Sequence, residues 1–153
     1  MTHYKPLIEQ ISAKISAKIK EYQTQPSANR SFVLYGPPLS GKTLIAKEVT
    51  KRLEGKYIDL LKDKLSVLNP KLGLYTPLNF KRDISSWAKE TDSLLVIDEI
   101  EALLDTWIKD QQEDLLKLLS GLSGRMHSPV LISSRIVLPY EDFISKDRIF
   151  RVS

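Results

Sequence analysis

The chain contains no cysteine, and this absence excludes disulfide bridges and thiolate metal sites. No apolar run comes near the roughly 20 residues that a membrane-spanning helix needs, and the first residues lack the apolar core of a secretory signal. The net charge of +4 comes from scattered basic residues, so DNA is only weakly indicated as a partner. We therefore expect a cytoplasmic protein that binds no membrane and forms one domain over residues 1–153.

One stretch of the sequence has a spacing with a chemical explanation. Residues 36–43 fit the pattern G-x-x-x-x-G-K-[ST], with an apolar, β-rich run before them and a helical pattern after them. A loop of this kind lets backbone N–H groups and the positive end of a helix surround the oxygens of a triphosphate. The pattern predicts a phosphate-binding loop, and an ordinary Gly/Pro turn before a helix is the alternative.

The residues of this loop have separate predicted roles. Gly36 and Gly41 allow the backbone to approach the phosphates closely. Lys42 would lie between the β- and γ-phosphates, and the Thr43 hydroxyl would bind Mg²⁺. The predicted cofactors are therefore ATP and Mg²⁺. The predicted nucleotide-binding residues form one continuous run: Gly36, Pro37, Pro38, Leu39, Ser40, Gly41, Lys42, Thr43 and Leu44.

A second chemical element is the apolar run of residues 93–97, which ends in two adjacent carboxylates, Asp98 and Glu99. A buried parallel strand explains the run, and ligands gather at the carboxyl ends of such strands. Asp98 would complete the Mg²⁺ site with Thr43, while Glu99 would orient the attacking water or accept its proton. Alternatively, both acids only stabilise the start of the next helix through its dipole.

Apolar periodicity outlines the other elements. We expect an amphipathic helix within residues 1–23, a helix over residues 44–53 that Gly55 ends, and another helix capped by Asn79. Residues 100–122 predict either one long helix or two helical segments, with a polar interruption at residues 110–114. Five strands are predicted, at residues 32–35, 57–60, 93–99, 129–134 and 148–152.

The predicted strand over residues 129–134 ends in hydroxyls. We predict that this strand lies between the strand before the phosphate loop and the strand ending in Asp98. From that position, Ser134 would donate a hydrogen bond to the γ-phosphate or the attacking water. The alternative is that this hydroxyl only caps the strand end.

Taken together, residues 34–43, 96–103 and 130–135 resemble the ATPase core of AAA+ proteins in order and spacing. The resemblance covers residues 31–153. It implies an α/β fold of the three-layer P-loop NTPase type, with a five-stranded parallel sheet in the order 5-1-4-3-2. It also implies ATP with Mg²⁺ and action through homo-oligomers or partner proteins.

Three departures from the AAA+ pattern bear on activity. Leu39 stands where these ATPases usually have a small residue, and Ser134 stands where Asn is common. The sequence stops directly after the fifth predicted strand, so we expect no helical lid domain. A reduced catalytic rate and weaker nucleotide binding would follow from these differences.

The plan also resembles a narrower group, the BrxF-type small P-loop proteins of type 3 BREX phage-defence systems, in total length, leader helix and missing lid. That resemblance implies an ATPase or nucleotide switch inside a multiprotein bacterial defence complex. Two other functions fit the motifs. One is a nucleotide-binding scaffold that does not hydrolyse ATP, and the other is a small P-loop phosphotransferase.

In the AAA+ pattern, a basic residue just before the fifth strand reaches the γ-phosphate of a neighbouring subunit. Here that segment is residues 144–148, and the resemblance implies Arg148 in this role, with Lys146 as the alternative. The competing interpretation is that Arg148 and Arg151 are solvated charges that protect an exposed edge strand from unwanted pairing.

Overall fold

The computed structural model describes residues 4–24, 30–37, 40–64, 74–121, 126–135 and 138–152. The helices are α1 (Tyr4–Gln23), α2 (Lys42–Arg52), α3 (Pro77–Ala88), α4 (Glu101–Leu104) and α5 (Lys109–Ser120). The strands are β1 (Ser31–Tyr35), β2 (Lys56–Asp59), β3 (Leu95–Asp98), β4 (Val130–Ser134) and β5 (Ile149–Arg151). A π-helical turn, Leu60–Lys64, follows β2, and the 3₁₀ turns Tyr140–Asp142 and Lys146–Arg148 precede β5.

The five strands form one parallel sheet in the order β2-β3-β4-β1-β5. This is the predicted order 5-1-4-3-2 read from the other edge, so the predicted fold is confirmed. Because the strands are parallel, their carboxyl ends lie along the same edge of the sheet. The carboxyl end of β1 therefore lies beside that of β4, where Tyr35 pairs with Ser134, and the end of β3 lies on the other side of β4. The strand that carries Ser134 lies between the other two, as predicted.

Helices cover both faces of the sheet and bury a separate apolar cluster on each. On one face α1 and α2 pack against alternate residues of the central strands, and on the other face α3 and α5 do so. The first cluster contains Ile15, Ile19, Phe32, Leu34, Ile45, Val49, Val96 and Leu131. The second contains Val33, Ile58, Phe80, Ile84, Leu95, Ile97, Leu115, Leu119 and Ile132. Alternation along each buried strand thus serves two cores at once.

The leader helix predicted within residues 1–23 is α1, whose apolar side lies on the sheet with α2. Residues 1–3 lie outside the described part of the chain. None of the helices in the described residues combines the length and apolarity needed to cross a membrane.

Two helix boundaries differ from the prediction. Asn79 does not begin α3. Thr76 is the N-cap, and its side chain accepts from the Asn79 N–H at 3.3 Å while the Asn79 side chain accepts from the Thr76 N–H at 3.0 Å. After α2 the left-handed residue is Glu54 and not Gly55. Gly55 is needed for space instead, because a Cβ there would lie 2.5 Å from the Leu94 carbonyl oxygen.

The segment over residues 100–122 forms two helices, one of the two predicted arrangements. The break falls between α4 and α5, at residues 105–108, and not at the polar stretch of residues 110–114. Trp107 sits at this break, where its indole N–H donates to the Tyr75 carbonyl at 2.8 Å. Because the Trp107 side chain is buried, the chain turns inward at residues 105–108. The polar residues that follow form the exposed side at the start of α5.

Candidate nucleotide-binding site

The loop between β1 and α2 needs its two glycines for different physical reasons. A Cβ at Gly36 would lie 2.3 Å from the Val152 carbonyl oxygen, so no side chain fits between β1 and the end of β5. Gly41 has a φ of 90°, the left-handed conformation that other residues rarely adopt. Pro38 and Leu39 lie outside the described residues, and Leu44 is exposed on the first turn of α2.

Lys42 ties the two ends of this loop together. It is a buried residue on the first turn of α2, and its Nζ donates to the Pro37 carbonyl oxygen at 2.8 Å. Burial lowers the pKa of this ammonium, while the nearby carboxylates, Glu101 foremost, oppose the shift. The Lys42 ammonium thus lies against the loop backbone, where phosphate oxygens could replace the carbonyl as its acceptor.

Thr43 and Asp98 meet at the carboxyl edge of the sheet. The Thr43 hydroxyl donates to Asp98 Oδ2 at 2.9 Å, and the Glu99 N–H donates to Asp98 Oδ1 at 2.9 Å. Asp98 is only 3% exposed. Oxygen groups of this kind suit Mg²⁺, which binds through one or two side chains together with waters and phosphates. Among the described residues, no group of three or more His, Cys, Asp or Glu side chains is arranged to hold a metal ion.

Glu99 follows β3 in a left-handed conformation, with a φ of 62°. This conformation is uncommon for a residue with a side chain, and strained residues of this kind cluster at active sites, although Glu54 shows that a turn can also hold one. Burial raises the pKa of its carboxyl group, and the charges of Asp98 and Glu101 add to the rise. A carboxylate with a raised pKa is a stronger base toward water. The structure therefore brings Lys42, Thr43, Asp98 and Glu99 together at one edge of the sheet.

Ser134 also lies at this edge, but it is fully buried. Its hydroxyl is hydrogen-bonded to Tyr140, in the 3₁₀ turn after β4; burial raises the pKa of Tyr140 to about 12, and this bond opposes the rise. The predicted contact of Ser134 with a γ-phosphate or water would thus compete with Tyr140.

Residues 32–151 match the family described as the ATPase family associated with various cellular activities (AAA). The chain belongs to this family. Its members use nucleotides, typically with Mg²⁺, and often form oligomers, which supports an ATP-binding AAA+-like protein. The fold is similar to that in the structure of C. elegans PCH-2, with a TM-score of 0.50 and 18% sequence identity. The match covers 96% of this chain but 43% of that chain, so it shows the fold alone.

Two residues of this AAA domain site were not predicted from the motifs. Glu101 is 4% exposed on α4, and its carboxylate accepts the backbone N–H of Arg135, which joins the end of β4 to the helix after Asp98. Tyr57, on β2, donates its hydroxyl to Asp98 at 2.6 Å. Glu101 carried a weak signal, since it is the acid nearest the Asp98–Glu99 pair. Tyr57 carried none, because a tyrosine in an alternating strand reads as a core residue.

Arg148 lies away from the phosphate loop of its own chain. Its guanidinium donates from Nη1 to the carbonyl oxygen and the hydroxyl of Ser31, each at 3.1 Å, and from Nε to the Ser145 hydroxyl at 3.1 Å. Ser31 begins β1, so these bonds lie at the amino edge of the sheet. Arg148 is 8% exposed, and the interpretation of this residue as a solvated charge is therefore wrong. Arg151 and Lys146 are exposed.

Proposed function

We propose that this chain binds ATP with Mg²⁺ at residues 36–44 and Asp98, and that it hydrolyses the bound ATP to ADP and phosphate. One observation carries the proposal. The hydrogen bond of 2.9 Å between Thr43 and Asp98 joins the helix after the loop to the strand end that bears the acids. Membership of the AAA family supports the same assignment.

The phosphates would lie over the first turn of α2, where backbone N–H groups are unpaired and the helix dipole is positive. Lys42 would exchange the Pro37 carbonyl for β- and γ-phosphate oxygens, because a charged acceptor binds an ammonium more strongly than a neutral one. Bound Mg²⁺ would neutralise part of the phosphate charge. Thr43 and Asp98 would hold it there.

Glu99 would orient the attacking water and accept its proton. Its partial exposure leaves the carboxylate open toward the site, and its raised pKa favours proton transfer. Ser134 would assist only by giving up its bond to Tyr140. The bond between Ser134 and Tyr140 favours the second candidate function, a nucleotide-binding scaffold that does not hydrolyse ATP.

The nucleobase would occupy a cleft of about 190 Å³ beside the loop. Ile8 and Ile11 of α1 form one wall, Ile45 of α2 forms another, and Arg151 closes the end near β5. The Ser40 hydroxyl borders this cleft and is buried without a hydrogen-bond partner among the described residues. Apolar walls beside one unpaired polar group suit a planar base attached to a ribose. In this proposal α1 is part of the site as well as of the core.

The larger role we propose is that of a switch or assembly component. Homo-oligomerisation, with Arg148 or Lys146 acting on a neighbouring subunit, and membership of a bacterial anti-phage defence complex belong to this proposal. Their support is the family pattern and the resemblance in sequence plan to the small P-loop proteins of type 3 BREX systems. Purification of the chain with its bound partners from its native host would test the complex.

The enzymatic proposal is tested by calorimetry with ATP and by phosphate release from the purified chain, each measured with Mg²⁺. Binding followed by release supports hydrolysis. Binding without release, alone or with added DNA or partner proteins, supports the scaffold. Absence of any nucleotide binding overturns both candidate functions.

A further inference from the structure

One oxygen of Asp98 receives two hydroxyl donors from different parts of the fold. The Tyr57 hydroxyl donates to Oδ2 at 2.6 Å, and the Thr43 hydroxyl donates to the same atom at 2.9 Å. Tyr57 comes from β2 and Thr43 from α2. The carboxylate is therefore held between the sheet and the helix that follows the phosphate loop.

The register of β2 and β3 explains how Tyr57 reaches this position. Tyr57 pairs with Val96, and Asp59 pairs with Asp98. Alternate residues of a strand share a face, so Tyr57 lies on the face of Asp98, one strand across and two residues earlier. A shorter side chain would end short of the carboxylate, whereas a phenol spans this diagonal.

The helix α2 contacts both members of the pair from above. Thr43 and Lys47 are four residues apart and thus lie on the same side of the helix. Thr43 bonds to Asp98, and Lys47 Nζ lies 5.6 Å from the centroid of the Tyr57 ring. The ring is thereby held by a cation over its face while its hydroxyl points at the carboxylate.

The donors to Asp98 differ in whether they would also bind the metal ion. Thr43 is itself a predicted Mg²⁺ ligand, so its hydroxyl oxygen would bind the ion while its proton still bonds to Asp98. The Glu99 N–H, at 2.9 Å from Oδ1, fixes the other oxygen. Tyr57 is the side-chain donor to Oδ2 that is not itself a predicted ligand of the ion. Partners of this kind orient a ligating carboxylate and raise metal affinity without touching the metal.

We propose that Tyr57 is a positioning residue, whose hydroxyl fixes the Asp98 carboxylate in the orientation in which it binds Mg²⁺ on the nucleotide. The inference rests on the proposed function, since it concerns the same site. It differs from that function in predicting a specific dependence on the metal.

The test compares ATP affinity with Mg²⁺ and ATP affinity in a chelator, each by calorimetry, for wild type and Tyr57→Phe. Removal of one hydroxyl should weaken binding with Mg²⁺ about tenfold and leave metal-free binding unchanged. The matched control is Tyr75→Phe. It removes another partly buried tyrosine–aspartate hydrogen bond, to Asp83, at a place away from the loop. This control should leave the ratio of the two affinities as in wild type.

A double variant shows whether Tyr57 acts through Asp98. In an Asp98→Asn background, Tyr57→Phe should have no further effect on the Mg²⁺ dependence. Circular dichroism and thermal melting establish that each variant is folded. Wild-type affinities in Tyr57→Phe, both with and without Mg²⁺, overturn the proposal. An equal loss of affinity under the two conditions also overturns it and assigns Tyr57 a purely structural role. Failure of the wild type to bind ATP overturns the proposed function instead.

Discussion

At the scale of single residues, the side chains of the proposed nucleotide site are oriented by their neighbours, which also shift their pKa values. Lys42 is a cation held against a carbonyl oxygen, with Glu101 and Asp98 acting on its charge. Glu99 is a carboxylate in a left-handed turn whose surroundings raise its pKa. The first residue would bind the phosphates and the second would act on water, so substitutions should separate binding from turnover.

Lys42→Ala should lower the affinity for ATP by about tenfold or more, because an ammonium that bonds to charged oxygens contributes about 1.5–3 kcal/mol. Calorimetry with ATP and Mg²⁺ measures the change. Lys51→Ala is the matched control, since Lys51 is an exposed lysine near the far end of the same helix. Equal affinity in wild type and Lys42→Ala would contradict the placement of this residue between the phosphates.

Glu99→Gln should leave ATP binding intact and reduce phosphate release by about a hundredfold or more, because the amide has the same size but cannot take a proton. Glu54→Gln is the control. Glu54 is the other non-glycine residue with positive φ among the described residues, with a φ of 52°, and it lies in the turn between α2 and β2. Normal turnover in Glu99→Gln would leave this acid with a role at the start of α4 only.

At the scale of secondary-structure elements, α1 joins the core to the proposed site. Its middle buries Ile15 and Ile19 beneath the sheet, and its first turns border the cleft beside the loop through Ile8 and Ile11. A helix that only covered the sheet would need no contact with the loop. Substitutions on α1 at the cleft should therefore change the affinity for nucleotide.

Ile8→Ala should lower the affinity for ATP about fivefold, because the lost apolar contact with the base is worth about 1 kcal/mol. The same variant should bind inorganic tripolyphosphate as well as wild type does, since that ligand has no base. Lys14→Ala, at an exposed position of the same helix, serves as the control. A parallel loss for both ligands would place the base elsewhere.

At the scale of the whole molecule, the positions of the basic residues near β5 bear on whether the proposed hydrolysis would need a second subunit. Arg148 is fixed at the amino edge of the sheet by Ser31, away from its own phosphate loop. A role in hydrolysis therefore requires a second subunit. The exposed Lys146, two residues earlier, needs no rearrangement to reach one.

If Arg148 acts on a neighbouring subunit, turnover per subunit should rise with protein concentration, and Arg148→Ala should lower hydrolysis without weakening ATP binding. Mixing Arg148→Ala with Lys42→Ala should then restore part of the activity at hybrid interfaces. Lys146→Ala tests the alternative residue in the same assay.

Ser31→Ala tests a structural role through turnover, because it keeps the guanidinium charge. It removes the bond of the guanidinium to the Ser31 hydroxyl and also the bond of 2.6 Å that this hydroxyl donates to the Leu119 carbonyl. A structural role predicts lower melting temperatures in both Ser31→Ala and Arg148→Ala, with normal turnover per folded subunit. Turnover that does not depend on concentration would contradict action between subunits.

The sequence by itself determined the loop of residues 36–43 and the placement of Asp98 at the same edge of the sheet, and the resemblance of its motifs to AAA+ proteins implied the sheet order. Apolar strand runs, glycine spacing and helical periodicity are local, since each depends on residues a few positions apart. The tertiary structure alone decided which groups Tyr57, Glu101 and Arg148 contact. Their partners are 41, 34 and 117 positions away along the chain. Such contacts follow from strand register and side-chain direction, which no local pattern encodes.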